Sequence, residues 1–305
     1  MVPLQNNSYV LVSASRNEEA YIDGLIDAIS AQTVQPVRWI LVDDGSTDDT
    51  YARAAARSAD LPFLQIVKMP GGRPRSFTSQ VWAAQHGYEQ VRGLSFDFIG
   101  FLDADIRVDC HYYKRLMDCF RAEPRLGLAG GVVIDRYENR TENNRKGSED
   151  FHVAGGVQFF RRECFEQIGG YLPISGGGQD TIADVMSMMR GWRIRSFPHL
   201  EALHLRPDGF GNDSVFERGI KWGRKFYLLG YHPLFYLAQC VRRLGRRPII
   251  IGGVCQLLGF VAASFRREAR PVSVEFVRFL RKVQMRRLQA TLAFTRPRRF
   301  LLRNE

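Results

Sequence analysis

The feature that most restricts this chain is the regular exchange of short apolar runs for helical periodicity across residues 1–135. The runs "YVLVSAS", "VRWILV", "FLQIV" and "FIGFL" have the length of strands, and their unbroken apolar character fits strands covered on both faces. Between the first two, Tyr21, Ile22, Leu25, Ile26 and Ile29 recur at helical spacing. Asn17 stands where a cap belongs, with Glu18 and Glu19 in the first turn. After the second run, Ser46 and Asp49 form an S-x-x-D pattern that opens an Ala-rich helix over about 47–59. Residues 78–92 supply a third helical segment. Such alternation predicts an α/β fold, a mostly parallel central sheet flanked by helices. Ligands of these sheets collect at the carboxyl ends of the strands. Two acidic clusters fall there: Asp43-Asp44 after "VRWILV", and Asp103-Ala104-Asp105 after "FIGFL".

Charge divides the chain in two. Residues 217–305 hold 20 Lys+Arg against 4 Asp+Glu, whereas residues 1–216 hold 23 against 28. The net charge of +11 therefore belongs to the tail, and a block of that sign suits a polyanionic partner such as acidic lipid or nucleic acid. Within the tail, residues 226–241 and 249–265 are apolar, and arginines at 242, 243, 246, 247, 266 and 267 bracket the second stretch. Each is shorter than the roughly 20 residues a spanning helix needs. Two readings stand for them: a basic, apolar segment lying on an anionic membrane surface, or core helices with solvated arginine faces. The five cysteines, odd in number and without C-x-x-C spacing, fit reduced thiols in a cytoplasmic protein. No basic, apolar leader is evident at the start. Residues 135–150 are polar and aperiodic and read as an exposed loop of the kind that serves as a lid.

Taken singly, the motifs are ambiguous. Two aspartates at i and i+2 on a strand end suit a hard divalent cation, yet acidic turns are common. "VDDGSTDDT" could bind a ribose or a base, and turn-plus-cap chemistry also explains it. Gly71-Gly72 and Gly176-Gly177-Gly178 permit close backbone approach, but no G-x-G-x-x-G, P-loop or G-x-S-x-G pattern occurs. Asp180, after the triple glycine, is either a helix cap or a general base. His204 and Arg206 alternate on a strand and so face one side, where a metal and a diphosphate would suit them.

The order of these pieces decides among the readings. "SRNEEAYIDGLIDAISAQ", "ILVDDGSTDDT", "FLDADIRVD", "GVQFFRRECFEQIGGY", "GGGQDTIADVMSMMRGWRI" and a final "HLR" run in sequence over residues 8–208. In this the chain resembles family 2 glycosyltransferases of the GT-A fold, in a bacterial subgroup linked to surface polysaccharide. The resemblance implies a catalytic domain over 1–216, with a nucleotide-sugar half to about 108 and an acceptor half from 109, followed by a basic helical tail over 217–305. It implies that Asp43, Asp44, Arg73 and Arg75 lie at the nucleotide. Asp103 and Asp105 would be the D-x-D pair that holds Mg²⁺ or Mn²⁺, with His204 beside the metal and Arg206 at the diphosphate. Asp180 would be the catalytic base. The family's usual Glu-Asp reads Gln179-Asp180 here, and the segment "GGRPRSFTSQVWAAQHGY" lacks the common asparagine.

The activity implied is inverting transfer of a sugar from a nucleotide-diphospho-sugar to a glycan or lipid-linked acceptor, at the cytoplasmic face of the inner membrane. The rival classes are a nucleotidyltransferase of similar fold and a non-catalytic membrane scaffold. The acidic first two-thirds argues against nucleic acid as a partner.

Overall fold

A computed structural model of the chain describes residues 7–70, 77–137, 140–142, 150–174, 176–206, 214–243 and 251–295. It divides into two compact units, Met1–Gly211 and Asn212–Glu305.

In the first unit the expected alternation is present: β1 (Tyr9–Ser15), α1 (Ile22–Ser30), β2 (Arg38–Asp43), α2 (Thr50–Ser58), β3 (Leu64–Lys68), α3 (Phe77–Val91) and β4 (Phe98–Phe101). Then come β5 (Ile106–Val108), α4 (Tyr112–Ala122), β6 (Leu126–Tyr137), β7 (Arg140–Glu142), a 3₁₀ turn (Gly155–Val157) and β8 (Phe159–Arg161). The unit ends with α5 (Arg162–Gln167), α6 (Gln179–Met189) and β9 (Arg193–His204). The strands form one sheet in the order β3-β2-β1-β4-β8-β6-β9-β5, with β7 on β6. Pairings among β1, β2, β3 and β4 are parallel. Beyond β4 the sheet is mixed: β8 is antiparallel to β4 and β6, β5 to β9, and β7 to β6, while β6 and β9 run parallel.

Residue alternation explains why the strands bury both faces. Tyr9, Leu11, Trp39, Leu41 and Phe98 point into a core shared with α1 and α4. Val10, Val12, Ile40, Val42 and Ile99 point into a second core with α3, α5 and α6. Each fully buried side chain of this size contributes about 1.5–3 kcal/mol relative to exposure. The densest part of the first core is aromatic, with Phe159 stacked on Phe98 at 5.5 Å and edge-on to Tyr9 at 5.8 Å.

Two expected caps are corrected. Helix α1 begins at Ile22, and Asn17 does not cap it; Asn17 sits at φ +57° and its Oδ1 accepts the Thr47 N–H at 2.8 Å. Ser46 does not cap α2, which begins at Thr50; its hydroxyl accepts the Asn17 N–H at 3.1 Å. Glu19 accepts from the Asp49 N–H and Asp48 from the Glu19 N–H, both at 3.2 Å. The residues that look like caps in sequence clamp the β1–α1 and β2–α2 loops to each other, because parallel pairing of β1 and β2 sets those loops side by side.

The second unit is helical: α7 (Val215–Leu228), α8 (Pro233–Arg243), α9 (Ile251–Phe265) and α10 (Val274–Thr295). Ser214 and Glu217 form a capping box at the start of α7. The apolar stretch over 226–241 is not one helix; it breaks at Gly230, φ +81°, between α7 and α8. Among the described residues, no helix is long and apolar enough to cross a membrane.

Candidate active site

Because β1, β2 and β4 run parallel, the chain leaving each emerges at one edge of the sheet. Glu18 follows β1, Asp43 ends β2 with Asp44 next to it, and Asp103 and Asp105 follow β4. Asp43 and Asp44 are buried, at 5% and 8% exposure, in a turn where Asp43 Oδ1 accepts the Ser46 N–H at 3.3 Å. Asp44 lies 3.7 Å from the Arg16 guanidinium. Arg73 and Arg75, expected at the nucleotide, lie outside the described residues, as do 138–139 and 143–149; of the segment 135–150 read as a loop, 135–137 end β6 and 140–142 form β7.

The D-A-D pair meets His204 and Arg206 through strand register. Ile106 of β5 pairs with His204 of β9, which also pairs with Asp135 of β6. Asp105 Oδ2 is 3.5 Å from His204 Nε2 and 3.6 Å from Arg206 Nε. His204 Nδ1 is 2.8 Å from Asp135 Oδ1, which fixes the ring and turns Nε2 to the D-A-D pair. Arg206 also pairs with the buried Glu18, and its guanidinium lies 5.1 Å from the centre of the Tyr21 ring. Gln80 donates to Asp103 Oδ1 at 3.1 Å.

The two aspartates differ in proton affinity. Burial, and then the negative charge of Asp105, pushes Asp103 up to about 7. For Asp105 burial acts in the same direction, but the hydrogen bond and charge of His204 and the charge of Arg206 outweigh it. Its carboxyl sits below the usual range. Three carboxylates (Glu18, Asp103 and Asp105) thus share a poorly solvated edge that a cation would relieve.

Among the described residues, no group of three His, Cys, Asp or Glu side chains is arranged to hold a metal by itself. The donor set still suits Mg²⁺ or Mn²⁺. Such ions are commonly held by one or two carboxylates, with phosphate oxygens and waters completing the shell. Asp103 and Asp105 would supply the carboxylates, with His204 3.5 Å from Asp105.

Asp180 lies in the first turn of α6, after Gly178 in a left-handed conformation at φ +103°. Its Oδ1 accepts the Thr181 N–H at 2.8 Å, and Gln179, the departure from the family's glutamate, accepts the Gly178 N–H at 3.0 Å. Asp180 and Asp103 both pack against the turn Gly155–Gly156. A Cβ on Gly156 would lie 2.6 Å from Asp103 Oδ2, and one on Gly155 would lie 3.2 Å from Asp180 Cβ. The structure therefore brings Asp103 and Asp180 to adjacent residues of one turn. Sequence reasoning missed Glu18, Asp135, Gln80 and this glycine pair. It also missed His152 and Asp184, whose ring Nδ1 and carboxylate Oδ2 are 2.6 Å apart. Of these, only "AGG" before a strand carries a local signal.

Residues 11–172, more than half the chain, match the family model described as glycosyl transferase family 2. The chain belongs to glycosyl transferase family 2. Among its relatives is an O-antigen biosynthesis protein, RfbC, of Myxococcus xanthus. It is 25% identical over 169 residues, which make up 53% of this chain and 13% of that protein. Solved structures share the GT-A fold at lower identity. A mannosyltransferase from Pyrobaculum calidifontis in complex with GDP-Man and Mn²⁺ is 16% identical with a TM-score of 0.54, over 95% of this chain and 81% of that one. S. aureus TarS in complex with UDP-GlcNAc is 14% identical with a TM-score of 0.53, over 90% and 78%. GalNAc-T7 with UDP, GalNAc and Mn²⁺ is 14% identical with a TM-score of 0.61, over 97% and 58%.

Proposed function

We propose that this protein is an inverting glycosyltransferase. It moves a sugar from a nucleotide-diphospho-sugar to an acceptor hydroxyl in cell-surface polysaccharide or glycolipid synthesis. The observation that supports the reading is that Asp180 and Asp103 pack against adjacent residues of the Gly155–Gly156 turn. On this reading Asp103 and Asp105 bind the donor and Asp180 is a base that serves the same small molecule.

Asp43 and Asp44 bind the base and ribose. Arg206, held by Glu18 and Asp105, faces the diphosphate and balances the charge that grows as the glycosidic bond breaks. Asp180 takes the proton of the acceptor hydroxyl as its oxygen attacks the anomeric carbon. A divalent cation held by Asp103 and Asp105, with His204 beside it, would supply further positive charge to the leaving diphosphate. The GDP-Man, UDP-GlcNAc and Mn²⁺ named for the related structures support these classes of donor and cation. The catalytic domain is 1–216, and 217–305 is a basic tail that rests on an anionic lipid surface at the cytoplasmic face, where a lipid-linked acceptor is presented.

The test begins with a panel of UDP- and GDP-sugars screened for Mn²⁺-dependent thermal stabilisation. With the donor so chosen, Asp180→Asn is expected to lower release of nucleoside diphosphate by about 10²–10⁴-fold while donor binding is kept. Asp105→Ala is expected to weaken donor binding by calorimetry only when Mn²⁺ is present. Substantial transfer by Asp180→Asn would sink the assignment of the base.

A further inference from the structure

One helical turn beyond Asp180, α6 carries a second acid that the mechanism above does not use. The Asp184 side chain is 1% exposed, and both of its oxygens are engaged. Oδ1 accepts the Val153 N–H at 3.2 Å and the Gln158 amide at 3.4 Å, and Oδ2 lies 2.6 Å from His152 Nδ1. Gln158 is fully buried and is itself held by the Tyr171 hydroxyl, which donates to its Oε1 at 2.6 Å. The backbone of His152 is pinned by Ser196, whose hydroxyl donates to its carbonyl at 2.7 Å. A buried carboxylate costs several kcal/mol of solvation. This one is met by three donors from the segment 152–158, one of which is the imidazole of His152. The other ring nitrogen, Nε2, is 3.9 Å from Asp180 Oδ2.

An ionised carboxylate offers only lone pairs. Asp184 therefore requires the proton of a neutral His152 to sit on Nδ1, and the basic nitrogen Nε2 then faces Asp180. Burial raises Asp184 to about 6 against the lowering effect of His152, so it is a carboxylate at neutral pH and above. Among the described residues, Asp180 and Asp184 from α6 lie within 4 Å of the ring nitrogens. On β9, Arg195 is paired with Asp150 at 3.6 Å.

We infer that His152, held in one tautomer by Asp184, is where the proton taken by Asp180 comes to rest. This rests on the assignment of Asp180 as the base. The acceptor O–H proton passes to the Asp180 carboxylate as the new C–O bond forms, and the old C–O bond leaves its electron pair on the diphosphate. The Asp180 O–H then donates to Nε2, and the resulting imidazolium faces the Asp184 carboxylate. With its side chain 22% exposed, His152 returns the proton to water. No other reactant is required. A carboxylate alone is a weak base toward a sugar hydroxyl. The imidazole beside it gives the transferred proton an onward acceptor. His152 acts through Asp180 and touches no substrate.

The test uses the UDP- or GDP-sugar that stabilises the full chain most, with Mn²⁺, and follows nucleoside diphosphate release as a function of pH. The variant His152→Asn keeps a donor for Asp184 but has no group in place of Nε2. It is expected to lose about 10–100-fold in kcat, with donor KM and donor-induced thermal stabilisation unchanged. The pH profile of its kcat is expected to shift relative to wild type. Asp184→Asn should reproduce the shift. Nitrogen NMR of the wild-type ring should report protonation at Nδ1. A His152→Asn variant with wild-type kcat and pH profile overturns the inference, as does an Nε2-protonated ring in the wild type. An active Asp180→Asn variant would overturn the base assignment itself, so the two failures are distinguishable.

Discussion

At the scale of single residues, the site depends on glycine as much as on acids. Gly156 leaves room for the Asp103 carboxylate, which a Cβ would approach to 2.6 Å. Gly156→Ala must displace that oxygen. It is expected to weaken Mn²⁺-dependent donor binding by about 1–3 kcal/mol, the usual size of an overpacking penalty, when followed by calorimetry. Asp184 adds a pH-dependent contribution to stability. Its native proton affinity is raised from 3.8 to about 6 by burial. Between those values the native state binds more protons than the unfolded chain, so this group's contribution makes stability fall as pH rises through the window. Urea melts of Asp184→Asn against wild type are expected to show the difference shifting in favour of the variant from about pH 4 to 6 and levelling above. Most acids of the site were legible in sequence because they directly follow apolar runs. Asp184 was not, since a lone acid within "TIADVMSMM" looks like a solvated helical face.

At the scale of elements, the parallel strands β1 to β4 could be read from sequence with little error, because runs buried on both faces have no alternation to disguise them. β6 was missed. Its sequence "LGLAGGVVIDRY" is interrupted by glycines, and its length is set by pairing with both β8 and β9, which lie 20 or more positions further along. The cap signals failed for a related reason. Asn17 and Ser46 have the chemistry of caps, and only the parallel neighbour decides that they serve each other's loops instead. Phe159 of β8 joins the two halves of the sheet through Phe98, Phe120, Tyr9 and Tyr113. Phe159→Ala is expected to cost about 3–5 kcal/mol in chemical denaturation, since a rigid aromatic cluster cannot collapse around the space left.

At the scale of the whole molecule, the two units differ in surface as well as in charge. Of the fifteen large apolar side chains exposed among the described residues, ten belong to Asn212–Glu305. Val254, Leu258, Val261 and Phe265 recur at helical spacing along α9, and Leu234, Leu237 and Val241 along α8. Exposed Arg266 and Arg267 follow the first stripe, and exposed Arg242 follows the second. Apolar stripes ended by arginines suit an anionic bilayer surface through buried apolar area plus charge attraction. The protein is expected to sediment with phosphatidylglycerol-rich vesicles at low salt and to be released as salt screens the arginines. Leu258→Asp with Phe265→Asp is expected to abolish sedimentation without loss of helical signal. Indifference of the wild type to such vesicles would remove the membrane from this account.

The sequence alone determined the α/β class, the strand ends that carry acids and the segregation of positive charge, because each is local: a run, a turn or a count. Only the tertiary structure decided which acids share a site. Asp105 meets His204 because β5 and β9 pair in one register, and Asp103 and Asp180 come to one place because both pack against the same two-glycine turn. Contacts between residues roughly 30 to 100 positions apart are fixed by sheet order and helix packing, and a linear reading carries no local signal of either.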